Sequence, residues 1–174
     1  AGFLAVLDAD GERKHVSYFT AYSSFNDTAT TAYEWAYGVA LDPVDGFWIS
    51  GHTGVFNLPT SYGSNPPAIQ AEKHNGVGWD LDNYLAKFVI ENGELQLKYC
   101  TYLGGLGQDF NYGLLMGSGG DLFVAGVTTS TRVGPNGSFP ITPVGGAAGT
   151  AYQIENNSTL GYIEPPIGSG TQPR

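Results

Sequence analysis

The side chains that could do chemistry are few and lie apart. Carboxylates come two residues apart in Asp8-Ala-Asp-Gly11 and Asp80-Leu-Asp82, and Asp109 follows a glycine-rich run. Alternating acids before a glycine resemble the start of a calcium loop, but that loop needs further oxygen ligands and a closing glutamate. Asp8 and Asp10 sit between two apolar runs, where a hairpin turn accounts for them. They are kept as metal candidates, with no metal expected. Asp80-Leu-Asp82 reads as a loop passing into a strand. Two carboxylates can suffice for a hydrolase, yet Asp80 and Asp109 have no constellation of partners behind them. His15, His52 and His74 fall in a strand, at a strand end and in a loop, without the close spacing of a zinc site. No Gly-x-Ser-x-Gly and no phosphate loop occur. Gly104-Gly-Leu-Gly107 follows a strand, but a dinucleotide site would need a helix after it. The expectation is no catalytic residue and no cofactor.

Cys100 is the only cysteine, which excludes an internal disulfide. Between Tyr99 and Thr101, in a run read as a strand, it is expected to be a buried inert thiol. Aromatic side chains are dense. Trp48 falls in a strand and is expected to pack between layers, whereas Trp79, Trp35 and Tyr62 are the candidates for stacking on a ligand such as a sugar ring.

The elements that would carry these residues are short apolar runs joined by glycine-bearing turns, the signature of consecutive hairpins. Residues 2–7 turn at Asp8-Ala-Asp-Gly11 and return over 14–19. Residues 37–41 turn at Asp42-Pro-Val-Asp-Gly46 and return over 47–51. A long excursion with three prolines, residues 54–80, is read as an ordered surface loop. Residues 84–90 then pair with 95–103, and 112–116 with 122–126. A second long loop, 129–149, leads to a candidate strand at 151–154 and a return at 160–163. Residues 165–174 are rich in proline, glycine and serine and are expected to be frayed or extended.

The two halves repeat. Phe3-Leu-Ala5 matches Tyr84-Leu-Ala86, and Ser17-Tyr-Phe19 matches Thr101-Tyr-Leu103. Tyr37-Gly-Val-Ala-Leu41 matches Tyr112-Gly-Leu-Leu-Met116, and Phe47-Trp-Ile-Ser-Gly51 matches Leu122-Phe-Val-Ala-Gly126, at offsets of 75 to 84 residues. Each unit is two hairpins plus one long loop. A repeating four-stranded antiparallel unit suggests a β-propeller blade. Closed propellers have about four to eight blades, so about two repeats imply a piece of a longer propeller, a ring of several copies, or open stacking. The expected division is a first blade-like repeat over 1–82, a second over 83–150, and a partial strand pair with a tail over 151–174.

The second half, over residues 83–143, resembles the SBBP β-propeller repeat of bacterial and archaeal surface proteins. The resemblance rests on Tyr84-Leu-Ala-Lys87, Cys100-Thr-Tyr-Leu-Gly-Gly105, Asp109, Tyr112-Gly113, Asp121-Leu-Phe-Val-Ala-Gly-Val-Thr128 and Ser138-Phe-Pro-Ile-Thr142. The first half departs from that pattern: Phe19-Thr-Ala-Tyr22 replaces the Leu-Gly-Gly segment and Asn57-Leu-Pro59 replaces Phe-Pro. The resemblance implies a secreted or envelope-associated, multi-repeat protein and implies no particular chemistry.

Composition agrees with a β-rich reading. Of 174 residues, 26 are glycine and only 13% are charged, against a usual share of about 25%. The formal net charge of −9 leaves no basic stripe to neutralise phosphates, so nucleic-acid binding is not expected. No apolar run approaches the roughly 18 residues of a membrane helix. The chain starts at Ala1 with no initiator methionine and no signal peptide, and the expectation is a mature, processed or excised piece. Asn-x-Ser/Thr patterns occur at Asn26, Asn136, Asn156 and Asn157, as chance provides in so polar a chain.

Together these readings lead to an extracellular or cell-surface structural protein whose partners are other copies of itself or the rest of a longer propeller. Its terminal strands would be completed by a neighbour. The segments to watch are residues 1–19, with Phe3, Leu4 and Val6, and residues 151–163, with Tyr152, Ile154 and Tyr162. The alternative is a carbohydrate-binding or adhesive module reading cell-surface glycans.

Overall fold

A computed structural model describes residues 2–19, 34–60, 66–73, 81–130 and Phe139. Trp79, Tyr62, His74, Asp80, Tyr152, Ile154 and Tyr162 lie outside them, as does the strand pair expected over residues 151–163. The described chain is all-β and antiparallel, with no helix. Its strands are β1 (Gly2–Leu7), β2 (Arg13–Phe19), β3 (Glu34–Leu41), β4 (Phe47–Thr53), β5 (Asp82–Glu91), β6 (Glu94–Leu103), β7 (Asp109–Met116) and β8 (Leu122–Thr128). They form a two-stranded sheet β1-β2, a four-stranded sheet β3-β4-β5-β6 and a two-stranded sheet β7-β8.

Turn chemistry sets the hairpins. Glu91 and Glu94 pair across a two-residue loop whose central residues, Asn92 and Gly93, have φ of 53° and 81°. This left-handed pair suits the right-handed twist of the flanking strands. In the 42–46 turn, the Asp42 carboxylate accepts the N–H of Val44 at 2.9 Å, and the Asp42 N–H donates to the Gly46 carbonyl at 3.1 Å. Side-chain capture of the backbone two residues on is why aspartate opens such turns.

The four-stranded sheet takes its second hairpin from the second half of the repeat. The long excursion after β4 returns the chain so that β5 pairs directly with β4, from Phe47 opposite Phe88 to Thr53 opposite Asp82. Sequence period and sheet are therefore out of phase by two strands. Part of the excursion lies along β6: the Gln70 carbonyl accepts the Tyr102 N–H at 3.0 Å, and the Gln70 N–H donates to Thr101 Oγ1 at 2.9 Å. The β6 edge of the sheet is thereby covered at Thr101 and Tyr102.

The repeat is also structural. The β1–β2 ladder is irregular between Val6 and Leu7, and the β5–β6 ladder between Lys87 and Phe88, the positions the sequence match equates. Likewise the β3–β4 irregularity at Ala36/Gly38 recurs in β7–β8 at Asn111/Gly113. Opposite each stands a glycine, Gly51 or Gly126, where a Cβ would collide with the carbonyl of Trp35 or Phe110. Two residues on, Thr53 Oγ1 accepts the Val55 N–H at 3.1 Å and Thr128 Oγ1 accepts the Ser130 N–H at 3.0 Å.

The main core lies between β1-β2 and one face of the four-stranded sheet. It joins Leu4 and Phe19 to Phe47, Ile49, Tyr84 and Phe88. Phe19 packs against Tyr84 and edge-on against Phe88, at centroid distances of 5.0 and 5.7 Å. The Tyr102 hydroxyl pins the start of the excursion, donating to the Val55 carbonyl at 3.0 Å and accepting the Leu58 N–H at 2.9 Å. On the opposite face β7 packs down, Leu114 filling the space that the missing side chain of Gly38 leaves.

Candidate assembly interface

The repeat assigns each terminal strand a counterpart in the four-stranded sheet. β1 corresponds to β5 and β8 to β4, and both counterparts are interior strands with a neighbour on each side. Among the described residues β1 has only β2, and β8 only β7. Among the described residues the other edge of each is therefore a row of backbone N–H and C=O groups with no strand beside it, a template for a further strand. By contrast β2 and β7 correspond to β6 and β3, the outer strands of the complete sheet.

Neither open strand carries the usual protection. Exposed edges are normally blunted by charge or proline. β1 reads Gly-Phe-Leu-Ala-Val-Leu and β8 reads Leu-Phe-Val-Ala-Gly-Val-Thr, with neither. The charged residues on the strands of the first hairpin sit instead on β2, at Arg13 and Lys14. Of the expected edge residues, Phe3 is exposed, Leu4 is buried in the core and Val6 is half-buried against it. One face of β1 thus holds the strand down while the other stands open. The second edge expected at residues 151–163 lies outside the described residues; among those described the second edge is β8, for which the repeat that equates it with β4 is the sequence signal.

Of the remaining predicted metal and ligand residues, Asp8, Asp10 and Trp35 are described. The Asp8 carboxylate accepts the N–H groups of Asp10 and Glu12 at 3.1 and 2.8 Å and pairs with Lys14 at 3.1 Å. The Lys14 ammonium, followed by the Glu12 N–H, holds the Asp8 carboxyl below its ordinary range. Asp10 is exposed in the same turn. No cluster of three or more His, Cys, Asp or Glu able to hold a metal occurs among the described residues. Trp35 is half-buried, its indole 4.8 Å from the His52 ring, which also stacks on Tyr37 at 4.7 Å and meets Phe110 edge-on at 5.0 Å. Burial among these rings lowers the His52 pKa to about 4. Trp48 does not enter the core. Its Nε1–H donates to Asp42 at 3.1 Å, and its ring meets Tyr99 of the same sheet at 5.7 Å.

A buried polar knot lies under the Leu103–Asp109 turn. Asp109 Oδ2 accepts the Gly105 N–H at 2.7 Å and the Ser130 hydroxyl at 3.4 Å. Gln70 Nε2 donates to Asp82 at 3.2 Å, while Gln70 Oε1 accepts the Gly104 N–H at 3.0 Å. The glycines are required by close approach: a Cβ on Gly104 would meet the Asp82 carboxyl, and one on Gly105 the Ser130 hydroxyl. Burial, with the nearby Asp82 charge adding to it, raises the Asp109 pKa to about 7. A carboxyl so poised can serve an acid–base step, but this one is fully buried and ties the turn to the segment after β8. Cys100 is buried too, and burial pushes its thiol up to about 12.

Compared with known proteins, the chain matches no protein-family model and no curated protein.

Proposed function

We propose that the chain is a non-enzymatic structural protein built from β-propeller-type repeats that assembles through its open strand edges, outside the cell or at its surface. One observation carries this reading: the first and last described hairpins each end on an interior-type strand that is uncharged and, among the described residues, has no neighbour on its outer edge. In this reading the four-stranded sheet is one blade, and the flanking hairpins are halves of the blades on either side. The extracellular location rests on the resemblance to the SBBP repeat.

The test is the mass and shape of the purified chain, by light scattering with negative-stain imaging. Rings or fibres whose mass rises with concentration support assembly. A well-folded monomer at every concentration overturns it.

A further inference from the structure

We infer that β8 of one copy pairs antiparallel with β1 of the next, in the register that β4 and β5 use within the chain, so that copies join head to tail. The inference rests on the assembly reading and adds to it which edges meet and how. The template is the β4–β5 ladder, in which Phe47 lies opposite Phe88, Ile49 opposite Ala86 and Gly51 opposite Tyr84. Transferred through the repeat, it places Leu122 opposite Leu7, Val124 opposite Ala5 and Gly126 opposite Phe3 of the second copy. The joint completes a sheet in the order β7-β8-β1-β2, the counterpart of β3-β4-β5-β6.

Three observations favour a second copy as the occupant. First, the free edges are of opposite kinds. Among the described residues β8 lacks what β4 receives from β5, and β1 lacks what β5 receives from β4. Joining like edges, β1 to β1, would reproduce no pairing seen in the molecule. Second, the side chains exposed on the first hairpin are those whose counterparts are covered. Phe3 is 68% exposed where Tyr84 is 0%, and Tyr18 is 79% exposed where Tyr102 is 0%. Leu7 is exposed where Phe88 is buried. On the last hairpin Phe123 and Leu115 stand open. A β8–β1 joint lays the first hairpin of the second copy against the sheet face that carries Trp48 and Tyr99. It also lays the sheet of the second copy over Phe123. One contact thus covers both exposed faces, as burial of apolar surface favours. Third, the glycine on β8 suits its proposed partner. Within the chain the Tyr84 ring crosses Gly51 and its hydroxyl reaches the Trp35 carbonyl at 3.1 Å. Gly126 leaves the same space over the Phe110 carbonyl, and Phe3 brings an aromatic ring without the hydroxyl. A head-to-tail contact closes into a ring if its rotation allows and otherwise extends as a filament.

The test is register-specific cross-linking of the full chain. Ala5→Cys with Val124→Cys places thiols opposite each other in the proposed joint, while Ala5→Cys with Leu122→Cys is two residues out of register. Cys100, being buried, stays silent. Oxidation of the first pair is expected to give a ladder of disulfide-linked multimers on a denaturing gel, and the second pair to lose most of it. As a check free of cysteine, Phe3→Lys with Leu7→Lys changes only exposed side chains. It is expected to shift the assembly to folded monomer with unchanged circular dichroism. Assemblies that link through Ala5→Cys alone, β1 against β1, would overturn the joint and leave the assembly reading standing. So would assemblies in which both paired variants link equally. A monomer in which Val124→Cys links to Tyr152→Cys within one chain would give the β8 edge to the chain's own residues 151–163 and overturn the joint. A folded monomer with no link would overturn joint and assembly together.

Discussion

Ser50 Oγ donates to Asn111 Oδ1 across 2.9 Å, a buried bond between the four-stranded sheet and β7-β8. Both side chains are fully buried, and Asn111 Nδ2 is already committed to the Gly113 carbonyl at 3.3 Å. Ser50→Ala strands a buried acceptor and is expected to cost about 1–3 kcal/mol. Urea unfolding measures the loss. Hydrogen exchange is expected to show β7 and β8 losing protection before β4 and β5 do. A uniform loss over all strands would contradict this placement of the bond.

Tyr102 combines the role of core ring with that of a clamp on the excursion. Tyr102→Phe keeps the ring and removes both bonds, leaving the Val55 carbonyl and the Leu58 N–H without their partner. The expected cost is roughly 1–3 kcal/mol. Protease cleavage in the excursion should rise more than global unfolding does, a difference that limited proteolysis at several urea concentrations reads out.

His52 and Asp109 oppose each other in their pH dependence. His52, with its pKa lowered from 6.5 to about 4, binds fewer protons folded than unfolded, so its contribution falls as pH drops through that window. Asp109, raised from 3.8 to about 7, binds more protons folded, so its contribution falls as pH rises through an overlapping window. Each effect is on the order of a few kcal/mol at most. Their sum is expected to be nearly flat between about pH 4 and 6.5. Asp109→Asn should leave a stability that climbs with pH over that range, and His52→Phe one that declines. Urea midpoints at stepped pH test both signs, and parallel profiles for the two variants would refute the pairing.

The thiol of Cys100 is expected to ignore a disulfide reagent at pH 8 while the protein is folded. Its reaction should follow the rate of opening rather than the reagent concentration. Prompt labelling of the native chain would mean that the β5–β6 core is open.

The hairpins were legible because each turn carries its own chemistry: Asp42-Pro-Val-Asp-Gly46 and Asn92-Gly93 declare themselves without reference to the rest of the chain. The repeat was legible for the same reason. Which hairpins share a sheet was not, since β4 and β5 meet across residues 54–80 and nothing local at Thr53 or Asp82 announces a partner so far along the chain. Leu4 and Phe3 are both apolar, and only the packing of β1 against the larger sheet tells which is buried. The role of Leu103-Gly-Gly105 was half legible. Its glycines marked a turn, but their need to pass close to Asp82 and Ser130 depends on residues distant in sequence. Aromatic density singles out Trp35 but does not reveal that the His52 ring lies tilted beside it at 4.8 Å.

The two-strand offset between sequence period and sheet bears on how such a chain can lengthen. Were unit and sheet in phase, a duplicated unit would fold beside its parent and touch it only through side chains, like a bead on a string. Out of phase, the new unit must contribute its first hairpin to its parent's sheet before either is whole. Each duplication then arrives already stitched to what came before by main-chain hydrogen bonds, whose donors and acceptors every substitution except proline leaves in place. Growth by copying and cohesion between the copies become one event.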